Sequence, residues 1–144
     1  MPQRSFYKAW LTLLAPLLVA CQGQIPPNLG LTPQGLRPCP QSPNCYASAS
    51  AGAWPWKGAL TDTQQALLLA AAQLGNNEVK TAEGQYLHLV FHTPLLGFLD
   101  DVEFWINAPR GEVEFISASR LGWHDLGANR RRMQALERLY RGRE

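Results

Sequence analysis

The chain has 144 residues, with 13 Lys and Arg against 11 Asp and Glu, for a formal net charge of +2. Two of the basic residues, Arg4 and Lys8, lie in a leading segment that reads as removable, and taking 2 from 13 leaves 11 basic against 11 acidic side chains. A remainder so balanced has no positive footprint for nucleic acid, and the chain after residue 20 suffices for one domain and not two.

The leading segment is basic at Arg4 and Lys8 and then apolar from Ala9 to Ala20, interrupted by Thr12 and Pro16. That run of about twelve residues has the length of a signal h-region and is too short to span a bilayer. It ends in Leu18-Val19-Ala20-Cys21, which resembles a lipobox. Residues 1–20 are therefore expected to be a lipoprotein signal peptide, with Cys21 the lipidated N-terminus of the mature protein. Two or more acyl chains there would give stable membrane anchoring, which a single chain does not. Gln22 after the cysteine, rather than Asp, points to the outer membrane, facing the periplasm, in a cell with two membranes.

Residues 21–38 read as a tether: Gln22 to Pro38 contains four prolines and three glycines and no periodicity. Cys39 and Cys45, an even pair in an exported chain, are expected to be a disulfide. The loop between them is made of turn formers such as Pro40, Ser42, Pro43 and Asn44. A staple of that size stabilises by about 2 kcal/mol in the chain-entropy model. A redox-active pair would have two residues between its sulfurs, not five. Trp54-Pro55-Trp56 cannot be helical around its proline and is expected to pack its rings on the domain edge.

Residues 39–144 then read as one domain. Thr61 and Gln64 form a capping box for a helix that Gly75 and Asn76 stop, with Thr63, Leu67, Ala70, Ala71 and Leu74 on its buried face. The period changes to two in Glu78–Thr81, Gln85–His92, Asp101–Asn107 and Glu112–Ser119. Leu87, Leu89 and Phe91 share a face opposite Tyr86, His88, Val90 and His92. Val102, Phe104 and Ile106 lie opposite Asp101, Glu103 and Trp105. Glu83-Gly84 and Pro109-Arg110-Gly111 are turns. A last helix begins near Asp125 or Leu126 and ends at Gly142, with Leu126, Asn129, Met133, Leu136 and Tyr140 in one stripe and Arg130 and Arg132 flanking it. The expected fold is α+β: a four-stranded antiparallel meander with two helices packed on one face.

Three segments carry a family resemblance: Pro38-Cys39-Pro40-Gln41-Ser42-Pro43-Asn44-Cys45, Gly97-Phe98-Leu99-Asp100-Asp101-Val102-Glu103-Phe104, and the run from Ser117-Ala118-Ser119-Arg120 to Asn129-Arg130-Arg131-Arg132. In this order and spacing the chain resembles the family known as domain of unknown function 1499, from about Leu36 to Leu139. His124 stands where the pattern has a serine, and His92 occupies a position that is often basic. The resemblance supports the single domain and implies no activity.

The residues themselves offer one charged cluster. Asp100, Asp101 and Glu103 open a strand, Asp101 and Glu103 on one face. Carboxylates so close raise one another's pKa unless cations compensate, and Arg120, Arg130 and Asp125 are placed to join them. Such a set suits a structural carboxylate–guanidinium network pinning the last helix to the sheet; a ligand site is the other reading. Asn129, an amide inside an apolar stripe, must be hydrogen-bonded. His88 and His92, four residues apart, are about 13 Å from each other on an extended strand and cannot share a zinc; no metal or other cofactor is expected. The functional expectation is a membrane-anchored binding, structural or assembly module with an envelope protein or a small ligand as partner. The alternative is an envelope hydrolase or transferase with Asp101 or Glu103 as general base and Arg120 stabilising negative charge. No serine elbow, two-histidine zinc helix or phosphate loop accompanies it.

Overall fold

The computed structural model describes residues 23–94 and 96–142; the expected signal segment and Cys21 lie outside the described residues. The fold is α+β. In chain order its elements are β1 (Cys45–Ala47), α1 (Ser48–Ala51), β2 (Trp54–Pro55), α2 (Leu60–Leu74), β3 (Asn77–Glu83), β4 (Tyr86–His92), β5 (Leu99–Asn107), a 3-10 turn (Ala108–Arg110), β6 (Glu112–Ser119) and α3 (Ala128–Arg141). Among the described residues no helix is long and apolar enough to cross a membrane.

Strands β3 to β6 form the expected antiparallel meander, but the sheet has six strands rather than four. Both added strands pair antiparallel with β6, placing Cys45 opposite Ala118 and Trp54 opposite Val113. At three and two residues they are too short to show alternation. Pro55 is tolerated there because an edge strand needs only one set of ladder bonds. Cys39 and Cys45 are bonded, with Cα atoms 5.7 Å apart, and the bridge sits where the chain enters β1.

Period-two alternation assigns the core. Leu87, Leu89 and Phe91 of β4, Val102, Phe104 and Ile106 of β5, and Val113 and Phe115 of β6 join Leu67, Ala70 and Ala71 of α2 and Met133, Leu136 and Tyr140 of α3 in one buried cluster. Trp54 is not at the domain edge but inside that cluster, its ring 5.0 Å from Phe115 and 5.4 Å from Phe104. A short strand holds it there, and its large ring fills the space between sheet and α3.

Two helix starts differ from expectation. Thr61 does not cap α2. Ala59 occupies the cap position, while the buried Thr63 hydroxyl donates to the Ala59 carbonyl (2.7 Å) and accepts the Lys57 amide (3.1 Å). Helix α3 starts at Ala128, not near Asp125, because Leu126 has φ +53° and Gly127 φ +79°. That left-handed pair breaks the helical phase, and Leu126 leaves the buried stripe to stand 88% exposed.

The segment expected to be a tether lies on the other side of the sheet. Gly23 approaches Arg120 and Leu121, the Gly30 amide reaches Glu103, a turn closes between Thr32 and Gly35, and Gly35 sits on the Trp105 ring. Arg37 then returns to Glu103. Glycine is required at Gly35: its φ is +109° and an added Cβ would lie 2.7 Å from Trp105.

Candidate functional site

The charged cluster divides into two networks because neighbouring residues of a strand face opposite ways. Asp101 and Glu103 share the face away from the core cluster, as expected, and both are fully buried. Asp101 accepts two bonds from Arg120, Nε to Oδ2 and Nη2 to Oδ1, each 2.8 Å. Register explains the reach: Asp101 is opposite Ala118, two residues before Arg120 on the same face. His88 Nε2 lies 2.8 Å from Oδ1 on the other side. Burial pushes the Asp101 pKa up, but the bonds from Arg120 and His88 outweigh it and hold the carboxyl below its ordinary value.

Glu103 does not meet Arg120. It accepts Arg37 Nε at 2.9 Å, the Tyr86 hydroxyl at 2.7 Å and the Gly30 amide at 2.8 Å. Burial, together with the hydrogen bond to Glu103, raises the Tyr86 pKa, so the phenol stays a donor. The acids are thus closed over, Glu103 by the N-terminal segment and Asp101 by Arg120 and His88, and neither by the last helix.

Asp100 turns to the core side and pairs with Arg132 of α3, whose guanidinium also lies 5.0 Å from the Phe91 ring. Arg132 donates to Asn129 Oδ1 (2.7 Å), and Ser117 Oγ donates to the same oxygen (2.6 Å). The Asn129 amide nitrogen donates to the Asn44 carbonyl, Ser119 Oγ and Asp125 Oδ2, at 3.0, 2.9 and 2.8 Å. This is the network that ties the last helix to the sheet, and its arginine is Arg132 rather than Arg130. Arg130 is exposed and lies 5.8 Å from the Tyr46 ring. Asp125 accepts the amides of Gly127 (2.9 Å) and Asn129 (2.8 Å). Burial raises its pKa, and those amide bonds more than compensate and lower it.

The open part of this region is apolar. At the end of the sheet where Asp100 faces Ser119, the 93–98 and 120–127 loops enclose a cavity of about 500 Å³. Phe98, Leu96, Leu121 and Leu126 form its walls, with Asp100 and Asp125 among the polar groups that line it. A second cavity of about 470 Å³ shares the His124–Leu126 wall and is lined by Tyr46, Arg130 and Arg131. Volumes of this order suit a small ligand, and apolar walls with few polar groups are usual for one. Among the described residues no group of three His, Cys, Asp or Glu side chains is arranged to hold a metal ion. His88 serves Asp101, while His92 and His124 are exposed.

The polar partners missed in the sequence are Arg37, His88 as a carboxylate partner, Tyr86 and Arg132. Tyr86 and His88 could have been found, since alternation places them on the Asp101 face of the next strand. Nothing local marks Arg37. The cavity residues had a signal as well, in Leu121, Trp123 and Leu126 crowded into a short loop.

No curated protein and no solved structure matches the chain. The sequence profile of the family described as "Protein of unknown function (DUF1499)" matches residues 35–139, which takes in β1 to β6, nearly all of α3, the side chains of both carboxylate networks and the loops around the cavity. The chain belongs to that family.

Proposed function

We propose that this protein is a lipid-anchored envelope protein whose domain is a non-catalytic binding module, taking an apolar ligand into the cavity between the 93–98 and 120–127 loops. The observation that carries this reading is the contrast in access. Asp101 and Glu103 are fully buried with their oxygens occupied, whereas the apolar cavity is open. A general base must reach its proton within hydrogen-bond distance, so the closure of both acids weighs against the hydrolase or transferase alternative. Packing of α2 and α3 together on one face of the sheet suits a rigid module, leaving the loops beyond Ser119 and His92 as the ligand-facing part. The anchor rests on Leu18-Val19-Ala20-Cys21, and the outer membrane on Gln22.

Two measurements test the reading. Metabolic labelling with an alkyne fatty acid should mark the wild-type chain and not Cys21→Ala. A chain starting at Gln22 should bind a fluorescent fatty acid saturably, and Ala128→Phe, which fills the cavity, should weaken binding by at least about tenfold, equivalent to 1.4 kcal/mol, with an unchanged melting temperature. Absence of label, or of saturable binding, overturns the corresponding half.

A further inference from the structure

The apolar cavity sits at one end of the molecule, and that end has an unusual surface. Four large apolar side chains are exposed there, Leu96 at 67%, Leu121 at 38%, Trp123 at 64% and Leu126 at 88%. All belong to the two loops around the cavity: Leu96, Leu121 and Leu126 line it, and Trp123 lies between Gly122 and His124, which do. Leu126 reaches its exposed position through a left-handed backbone that leucine disfavours. Clustered apolar groups of this kind mark an interaction surface, and a tryptophan at its rim suits a water–membrane boundary.

Where the chain enters the fold identifies the occupant. Gly23 packs against this same end: a Cβ on it would fall 2.7 Å from Arg120 Cβ and 2.9 Å from Leu121 Cγ. Cys21 is two residues earlier, and two residues span at most about 7 Å. Acyl chains on Cys21 would therefore enter the bilayer close to Leu121. Charge agrees. Arg130 and Arg131 line the adjoining cavity, and neither forms an ion pair among the described residues. Arg131 donates to the Leu126 carbonyl (2.8 Å). The one carboxylate shared by both cavities, Asp125, is engaged by the Gly127 and Asn129 amides.

We infer that this end is a membrane-docking face: Leu96, Leu121, Trp123 and Leu126 enter the interface of the bilayer that holds the anchor, and Arg130 and Arg131 take the phosphates of its anionic lipids. The apolar cavity then opens into the membrane. The inference rests on lipid attachment at Cys21, as in the function proposed above, and goes beyond it by fixing the orientation of the domain and the class of surface it contacts.

The test uses the full lipoprotein reconstituted into phosphatidylcholine vesicles with and without phosphatidylglycerol, carrying a spin label at Leu126→Cys or, as the control, at Glu83→Cys. Glu83 pairs with Tyr86 at the opposite end of the sheet and is exposed. On anionic vesicles the label at 126 should be reached by oxygen and shielded from a water-soluble nickel chelate, while the label at 83 stays open to the chelate. Arg130→Ala with Arg131→Ala should lower the docked-to-undocked ratio by about 30-fold, from about 1 kcal/mol per arginine at an anionic surface. Mass spectrometry of the same preparation reads acylation at Cys21. An acylated protein with both labels equally open to the chelate overturns docking and leaves the anchor standing. A chain without acyl groups overturns the anchor, and the docking inference with it.

Discussion

Removing Arg120 should strongly destabilise the domain. The Arg120 side chain is 7% exposed and Asp101 0%, and the guanidinium supplies two of the three bonds to that carboxylate. Arg120→Ala strands a buried negative charge, which costs about 3–5 kcal/mol. His88 stays within 2.8 Å of Oδ1 and keeps one hydrogen bond on the carboxylate, so the lower end of that range applies. Against a total of about 5–15 kcal/mol for a domain, the loss is large. With a urea slope of about 1–3 kcal/mol/M, the midpoint should fall by about 1.5 M. Asp101→Asn with Arg120→Met removes both charges and should recover much of the loss, a coupling of about 0.5–3 kcal/mol. Glu103→Gln should couple in the same way to Arg37→Met and only weakly to Arg120→Ala, because Glu103 and Arg120 share no hydrogen-bond partner. Equilibrium unfolding of these variants is the assay. Wild-type stability in Arg120→Ala, or strong coupling between Glu103 and Arg120, would refute the assignment of partners.

Stability should also depend on acid. Asp101 and Asp125 have folded-state pKa values below the ordinary ones, so their contribution is present above the unfolded carboxyl range and lost as pH falls through the folded values. Unfolding midpoints measured downward from neutral pH should decline, and Asp101→Asn should flatten the decline. Among the arginines of the last helix, Arg132→Ala should cost about 3 kcal/mol, since it strands Asp100, whereas exposed Arg130→Ala should stay within about 0.5 kcal/mol of wild type; chemical denaturation separates them. Cys39→Ser with Cys45→Ser should lower stability by about 2 kcal/mol and leave the fluorescent fatty acid bound. Gly35→Ala should destabilise by about 1–3 kcal/mol, because its Cβ meets the Trp105 ring, and a silent substitution there would show that the N-terminal segment does not hold the sheet.

Much of this protein was legible from the chain alone wherever the information is local. Period-two alternation put Asp101 and Glu103 on one face and Val102 and Phe104 on the other, because a strand turns each side chain by half a revolution whatever it pairs with. The Cys39–Cys45 bridge was legible in a short loop of turn formers. The stripe of Asn129, Met133, Leu136 and Tyr140 came from helical geometry, and so did the requirement that buried Asn129 find partners.

Tertiary structure alone decided which partners these groups meet. The Pro- and Gly-rich stretch before Cys39 has no periodicity, yet Gly30 and Arg37 complete the bonds to Glu103 across 73 and 66 positions of sequence. Nothing in a segment without regular structure records what it will cover. Arg130 and Arg132 flank the α3 stripe equally in sequence; the left-handed turn at Leu126 and Gly127 sets the helix start, and the docking of α3 then turns Arg132 toward Asp100 and Arg130 toward solvent. β1 and β2 are strands only because β6 offers them an unpaired edge. The apolar end has the same origin: Leu96, Leu121 and Leu126 belong to loops remote in sequence, and they share a surface because the β5–β6 register brings Asp100 opposite Ser119.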